Sequence, residues 1–320
     1  MRHLWVVIAR GLVYLHEISA CYMDRQTISQ CPACGSERIH KYVSAMNYYA
    51  TGEAFDIYEC DACGMRFTQD APIEAEAAQY YSSPDYISHT DIRKGLFNRT
   101  YHAVRTVMLR RKAHLVMKAL GSKEGRLLDI GAGTGYFARE MQRRGFAVEA
   151  VEVSEDARKV AEKNAGIKEK DISALATFEN ESFDAITMWH VLEHVYNLAD
   201  EWQTLRRLLK NDGRLVIAVP NCASLDAKHY REFWAAYDVP RHLWHFNSHT
   251  MKLMAEQYGF KIMSIHPMPF DAYYISMLSE KYSGRKPYFL RGMMFGTYSW
   301  FKTLCNKKNS SSLIYVMRKL

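Results

Sequence analysis

Residues 127–135 read Leu-Leu-Asp-Ile-Gly-Ala-Gly-Thr-Gly, and this stretch decides the fold. The apolar run that ends at Ile130 predicts a buried strand, and the glycines that follow predict a sharp turn into a helix. Because glycine has no Cβ, such a loop can bring backbone N–H groups against a ligand. The order of strand, glycine loop and helix therefore predicts a nucleotide-cofactor pocket in an α/β fold.

Two details narrow the class of ligand. Gly135 comes one residue sooner than the third glycine of the dinucleotide pattern Gly-x-Gly-x-x-Gly. Asp129 lies two residues before Gly131, and its carboxylate would repel a diphosphate but not a cationic amino-acid headgroup. An NAD-binding Rossmann unit stays the alternative, since Glu152 lies about 20 residues past the glycines. The glycine spacing weighs against that alternative.

The segment resembles motif I of the class I S-adenosylmethionine (SAM) methyltransferases, and the chain is similar to their bacterial type 11, 12 and 23 subgroup. The resemblance covers roughly residues 25–320. It implies an α/β fold with a seven-stranded, doubly wound, Rossmann-like sheet in the order 3-2-1-4-5-7-6. It also implies a set of cofactor-binding residues: Asp129, Gly131, Ala132, Gly133 and Gly135 in the loop, Glu152 at the ribose, Asp171 at the adenine amine, and Trp189 after the fourth strand.

A second pattern lies near the N-terminus. Cys31-Pro-Ala-Cys34-Gly is followed, after 24 residues, by Cys60-Asp-Ala-Cys63-Gly. Tetrahedral zinc needs four converging thiolates, and each Cys-x-x-Cys turn offers two. The spacing predicts a structural zinc ribbon with a small hairpin between Tyr42 and Tyr58, and two redox pairs are the alternative.

The charge distribution bears on nucleic acid as a partner. The formal net charge is +7, but the segment from residue 281 to the end carries nine Lys or Arg and no Asp or Glu, so the rest of the chain is nearly neutral. Between Cys31 and Cys63 two basic residues stand against five acidic ones. Phosphate binding wants the opposite balance. An RNA methyltransferase that uses the ribbon to bind its substrate therefore stays an alternative only, and nucleic acid is not the expected partner.

The candidate catalytic residues follow the fourth strand, in the run Trp189-His190-Val191-Leu192-Glu193-His194. A helix starting near residue 190 would place His190 on one face with Glu193 and His194. The Glu-His pair resembles the motif of ubiquinone-pathway O-methyltransferases and deoxysugar C-methyltransferases, where it supplies a base or a metal contact. His194 is the preferred general base and His190 the next. Histidine at position 190, where the quinone enzymes have Glu, weighs against a magnesium site.

Two insertions are predicted on the substrate side. The first, 221–247, is dense in aromatic, His and Arg residues, and Trp234, Arg241 and His242 are its candidate substrate-binding residues. An ion pair of Arg241 with Asp238 or Glu232 is the alternative for that side chain. The second, 270–310, predicts added helices, and its aromatic and basic stretch 273–310 predicts peripheral contact with a membrane. Packing on its own domain is the alternative, and no segment is long and apolar enough to span a bilayer.

The predicted organisation has four parts. Residues 1–24 are interpreted as an over-extended gene start or a disordered extension, 25–70 as the zinc ribbon, 71–122 as a helical linker and lid, and 123–320 as the SAM-dependent methyltransferase domain. In the lid, Tyr80, Tyr81 and Tyr86 either face the substrate or pack as aromatics. The expected location is the cytoplasm, with peripheral contact at the inner membrane face.

The predicted function is methyl transfer to an O, C or N atom of a small metabolite or a sugar- or lipid-linked intermediate. SAM is the cofactor and zinc is structural. A non-catalytic SAM-binding protein is the second alternative.

Overall fold

The computed structural model of the protein describes residues 24–81 and 96–320. The predictions for residues 1–23 and for Tyr86 lie outside the described residues. The strands are β1 (Arg25–Gln26), β2 (Ile39–Met46), β3 (Ala54–Cys60), β4 (Arg66–Thr68), β5 (Ala71–Pro72), β6 (Gly125–Ile130), β7 (Phe146–Val151), β8 (Phe183–Trp189), β9 (Leu209–Pro220), β10 (Trp244–His245), β11 (Phe260–Pro267) and β12 (Ser312–Lys319). The α-helices are α1 (Leu96–Leu120), α2 (Tyr136–Arg143), α3 (Glu155–Val160), α4 (Leu198–Leu208), α5 (Leu225–Tyr230), α6 (Ser248–Gln257), α7 (Asp271–Tyr282) and α8 (Tyr288–Cys305).

The central sheet has the order β11-β12-β9-β8-β6-β7. Strands β7, β6, β8 and β9 are parallel, and β12 is antiparallel to both of its neighbours. The α/β class and the strand order agree with the prediction. The helices of the second insertion also form where expected.

Within residues 24–81 and 96–320 this sheet has six strands, one fewer than the predicted seven. The segment expected as the third strand forms one isolated parallel bridge, between Val151 and Lys170. The reason is local: the chain leaves a left-handed turn at Gly166 and at once begins a 3-10 helix capped by Asp171. Too few extended residues remain between these two turns to continue the ladder.

Helices cover both faces of the sheet, as the near-continuous apolar character of its parallel strands requires. On one face Leu127 and Val216 pack with Val116 of α1. On the other face Leu128 and Leu215 pack with a row of buried residues of α4, which are Trp202, Leu205 and Leu208. Alternate residues of each strand therefore enter two separate cores.

The cysteine-containing segment forms a second sheet, in the order β10-β4-β3-β2. Its β2–β3 hairpin matches the predicted one. The fourth strand, β10, comes from the first insertion and pairs Trp244 with Phe67. Cys31, Cys60 and Phe67 belong to the same apolar core as Trp202 of α4, beside the central sheet. The ribbon is thus built into the main fold and is not a module on a linker.

Candidate active site

The glycine loop leaves the carboxyl end of β6. Gly131, Gly133 and Gly135 all have φ between +63° and +72°, a conformation that favours glycine. A Cβ on Gly131 would lie 2.4 Å from Cγ2 of Val191, whereas a Cβ on Gly133 would meet nothing within 4 Å. Gly131 therefore packs on the loop that follows β8. Gly133 faces open space that a ligand can enter.

Asp129 lies beneath this loop. One carboxylate oxygen accepts a hydrogen bond of 2.6 Å from the Thr187 hydroxyl, while the other is buried and has no hydrogen-bond partner among residues 24–81 and 96–320. Burial raises the pKa of Asp129 to about 7. A buried carboxyl oxygen without a partner is suited to a cationic or donor group of a ligand.

Glu152 reaches the loop from the end of β7. Its two oxygens accept hydrogen bonds from the backbone N–H of Gly133 at 2.9 Å and of Ser154 at 3.0 Å. The carboxylate is buried beside the open space at Gly133. This position is compatible with the predicted contact to a ribose diol, because a carboxylate can accept from both hydroxyls.

Glu169 lies under the same loop and was not among the residues predicted from the sequence. Both of its carboxylate oxygens are buried without a hydrogen-bond partner within the described ranges, and one is 3.2 Å from the Cβ position of Gly135. Burial, followed by the charges of Glu152 and Asp129, raises the pKa of Glu169 to about 8. The charged stretch 168–171 resembles a solvated surface segment, so the sequence carried no signal for this residue.

The remaining predicted cofactor residues lie around the loop. Asp171 is exposed, accepts from the Ser173 N–H, and pairs with Arg158 at 3.0 Å. The ring of Trp189 packs edge-to-face on Phe137, with the ring centroids 5.1 Å apart, and the Lys112 ammonium lies 4.3 Å from its centroid. The backbone N–H groups of Gly131 and Ala132 both donate to the carbonyl of Val151.

The helix predicted to start near residue 190 does not form. His190 has a φ of +59°, and the segment between β8 and α4 forms a 3-10 turn at Leu192–His194 instead of a helix. The His190 N–H donates to the Ala218 carbonyl of β9, which keeps this residue on the sheet. A left-handed residue so bonded cannot begin a right-handed helix.

His190 nevertheless lies beside Glu193. Its Nδ1 is 3.3 Å from Glu193 and its Nε2 is 3.3 Å from Asp271, the first residue of α7. Burial alone would lower the pKa of His190, but the hydrogen bonds to Asp271 and Glu193 outweigh burial and raise the pKa to about 9. The ring is therefore an imidazolium at neutral pH, and a cation has no lone pair with which to accept a proton.

This charge state predicts a pH-dependent stability. The folded pKa of His190 is raised above its ordinary value of about 6.5, so its contribution is complete below that pH and is lost as pH rises through about 9. We expect His190→Gln to lower the free energy of unfolding by roughly 2 kcal/mol near pH 6 and by much less near pH 9.5, allowing for a partly exposed ring. Urea unfolding at both pH values measures the difference. The exposed His249→Gln is the control, and an equal loss at both pH values would contradict the paired imidazolium.

His194 has the opposite electrostatic environment. Its Nδ1 lies 3.0 Å from the carbonyl oxygen of Arg241 and 3.2 Å from the Tyr81 hydroxyl. Burial, with the nearby His242, lowers the pKa of His194 to about 4. The ring is therefore neutral at pH 7. Because the carbonyl can only accept, the proton belongs on Nδ1, and Nε2 keeps its lone pair.

His194 is part of a buried cluster with Glu193 and His242. The rings of the two histidines are 4.6 Å apart, and His242 Nδ1 donates to the Ala236 carbonyl at 2.9 Å. One ligand atom from each of the three residues lies within 4.8 Å of the others. Leu243 ties this cluster to the ribbon, since its N–H donates to the Glu193 carbonyl and its carbonyl accepts from Thr68.

The other two candidate substrate residues are engaged within the fold. The Arg241 guanidinium binds both oxygens of Asp238 at 2.6 Å and lies 3.8 Å from the ring centroid of Tyr49. This is the ion pair that the sequence analysis left open as the alternative. Trp234 is 2% exposed and donates its indole N–H to Asp226 at 3.0 Å. Of the three, His242 places its ring against that of His194, and Arg241 contacts His194 through its backbone carbonyl.

The four ribbon cysteines converge. The Sγ atoms of Cys31 and Cys63 are 3.5 Å apart, those of Cys34 and Cys60 are 3.6 Å apart, and all four lie within 4.8 Å of one another. Tetrahedral zinc with bonds of about 2.3 Å places its sulfurs about 3.8 Å apart. The arrangement fits such an ion.

Comparison with known proteins agrees with this geometry. A family model described as a methyltransferase domain matches residues 102–265, slightly more than half of the chain. The chain is 33% identical over 114 residues to a ubiquinone biosynthesis O-methyltransferase of Alkalilimnicola ehrlichii, which is 33% of this chain and 46% of that protein. It is 36% identical over 102 residues to one of Caulobacter vibrioides, covering 30% and 40%. The match thus spans less than half the length of these two relatives.

Two solved methyltransferase structures show a limited similarity to this chain. Geranyl diphosphate C-methyltransferase of Streptomyces coelicolor is 17% identical, with a TM-score of 0.49, over 72% of this chain and 88% of that one. Phosphoethanolamine N-methyltransferase 2 of Haemonchus contortus is 21% identical, with a TM-score of 0.45, over 65% and 52%.

Proposed function

Because this chain belongs to the methyltransferase domain family and is a SAM-dependent enzyme, we propose that it methylates an O, C or N atom of a small metabolite or of a sugar- or lipid-linked intermediate. The curated relatives are named O-methyltransferases, which favours oxygen among these atoms. The observation that carries the proposal is the contact between the two loops: Val191, beside the histidines, packs on Gly131 of the glycine loop.

The residues around the loop would hold SAM, which supplies an electrophilic methyl group on a sulfonium. Glu152 would bind the ribose hydroxyls, Asp171 the adenine amine, and the backbone at Gly133 the methionine part, with Trp189 as a further cofactor contact. The unpartnered oxygens of Asp129 and Glu169 would accept hydrogen bonds from the ligand, and a positive charge on the ligand would favour the ionised form of each carboxyl group.

His194 is the proposed general base. The lone pair on Nε2 of its neutral ring would take the proton of a hydroxyl acceptor while the acceptor oxygen displaces a neutral thioether from the methyl carbon. His190, as an imidazolium held between Glu193 and Asp271, positions the loop and is not the base. Glu193 in turn orients the histidines from a fully buried site.

We expect His194→Gln to lower kcat by roughly 10²- to 10⁴-fold, the usual contribution of a general base, while SAM affinity stays unchanged. The acceptor is first found by screening phenols, hydroxy acids and sugar nucleotides for release of S-adenosylhomocysteine, and kcat is then measured with it. SAM affinity is measured by calorimetry. The exposed His249→Gln is the matched control.

Three outcomes would contradict parts of this proposal. Unchanged kcat in His194→Gln would remove the base. A folded protein that binds SAM but turns over no acceptor would favour the non-catalytic alternative. A second metal ion that is lost in His194→Gln would make the Glu193, His194 and His242 cluster a metal site.

We further propose that the four cysteines bind one structural zinc ion. The ribbon offers little to RNA, because Lys41 already pairs with Asp56 at 2.9 Å and Arg66 with Glu59. Its role is instead to hold the histidine cluster through Thr68, whose hydroxyl donates to the His242 carbonyl at 2.6 Å.

A further inference from the structure

Helix α8 buries small residues and exposes most of its large apolar ones. Its buried residues are all small: Gly292, Gly296, Ser299 and Thr303. Seven of its ten large apolar side chains have 47% to 66% of their surface exposed: Tyr288, Phe289, Leu290, Met294, Tyr298, Phe301 and Leu304. An amphipathic helix that packs on a protein core in water normally shows the reverse arrangement.

The cause lies in the packing of α8 on α7. A Cβ on Gly292 would lie 2.5 Å from the Met277 Cα, and one on Gly296 would lie 2.9 Å from the Tyr273 Cα. The two helices meet backbone to backbone, so no large side chain fits between them. Close approach through a small-xxx-small pattern is typical of helix pairs in membranes. Here it leaves the large side chains in a contiguous outward patch, which we call the α8 face.

The α8 face is bordered by positive charge. Arg285 and Lys286 precede the helix, Lys302 lies exposed on it, and Lys307 and Lys308 follow it. No Asp or Glu occurs from residue 281 to the end of the chain. The last acidic residue before this segment, Glu280, is buried and pairs with Arg291 at 2.8 Å. The border therefore complements an anionic surface.

The orientation also suits an interfacial helix. The 18 residues of α8 form a rod of about 27 Å. Within residues 24–81 and 96–320 no helix combines the length and hydropathy needed to cross a bilayer. An exposed apolar face with basic residues around it is the pattern of helices that lie in the membrane plane.

We propose that the α8 face docks on an anionic phospholipid bilayer, with its apolar side chains among the acyl chains and its lysines and arginines at the headgroups. Helices α7 and α8 form a helical hairpin. This hairpin is connected to the candidate active site, because Asp271 at the start of α7 pairs with His190. Docking of this surface does not depend on which methyl acceptor the protein uses.

Co-sedimentation of the full chain with vesicles tests this proposal. We expect binding to vesicles of phosphatidylcholine mixed with phosphatidylglycerol and weak binding to phosphatidylcholine alone. We also expect release at about 1 M salt, where charge is screened within roughly 3 Å.

Variants of the α8 face test which side chains bind. Met294→Ser combined with Leu304→Ser should lower the partition coefficient by about tenfold or more. Lys307→Glu combined with Lys308→Glu should weaken binding to the anionic vesicles selectively. Met263→Ser, a half-exposed methionine on β11 outside the hairpin, is the matched control and should bind as the parent protein does.

Retained SAM binding by each variant shows that it is folded and separates this test from that of the proposed function. The proposal is overturned if the folded parent protein does not bind anionic vesicles, or if the α8-face variants bind them as well as Met263→Ser does. It is also overturned if light scattering finds a dimer that dissociates in Met294→Ser with Leu304→Ser, because the occupant would then be a second copy of the chain.

Discussion

Cys60→Ser should destabilise the entire fold rather than release the ribbon alone. A structural zinc site contributes on the order of 10 kcal/mol, so we expect loss of one ligand to cost at least about 5 kcal/mol, a large part of the stability of an ordinary domain. The loss of stability extends to the main fold, because β10 of the first insertion is a strand of the ribbon sheet and because Cys60 shares one core with Trp202. Thermal unfolding followed by circular dichroism, with zinc measured in parallel, should show one transition at a much lower temperature.

Cys305→Ser is the control for this experiment. Cys305 is an exposed thiol at the end of α8, away from the cluster of four, so its replacement should leave both the zinc content and the unfolding transition unchanged. Two separate transitions in Cys60→Ser, with the later one at the parent temperature, would show that the ribbon folds independently. That result would also remove the proposed route from the ribbon to His242.

Gly133→Ala should weaken SAM binding by roughly 10- to 100-fold, equivalent to about 1.4 to 2.8 kcal/mol. The added methyl group would project into the open space where the backbone must approach the cofactor, and it would strain a residue with a φ of +63°. Calorimetry measures the affinity directly.

Gly52→Ala is a matched control for that substitution. Gly52 has a φ of +72° and equally open surroundings, but it lies in the ribbon hairpin. Both variants should therefore lose about 1 kcal/mol of stability from left-handed strain, and only Gly133→Ala should lose affinity. Equal SAM affinities in the two variants would show that the loop does not cradle the cofactor.

Some features of the site followed from the sequence because their causes are local. A left-handed glycine is required where the chain turns from β6 into α2, and the three glycines identified that turn. The cysteine knuckles were equally legible, since each pair of ligands lies within one turn. The central strands were recognisable in the sequence as apolar runs, because helices cover both faces of their sheet.

Other features depended on which distant atoms meet. Asp271 lies 81 residues after His190 in the sequence, and the two side chains pair in the fold. This pairing keeps His190 protonated, so His190 cannot act as a base. Glu169 resembles a solvated residue in the sequence, yet it is buried next to two other carboxylates. The pairing of β10 with β4, likewise, joins two segments that no local pattern connects.

The sequence by itself therefore determined the α/β class, the cofactor loop and the four cysteines, because backbone conformation and ligand spacing are properties of short segments. The strand order was predicted from the resemblance to the methyltransferase family. Only the tertiary structure decided which histidine is neutral, that the ribbon belongs to the main core, and that the large residues of α8 face outward. Charge states and exposed faces depend on burial and on neighbours far along the chain, and these exist only once the chain has folded.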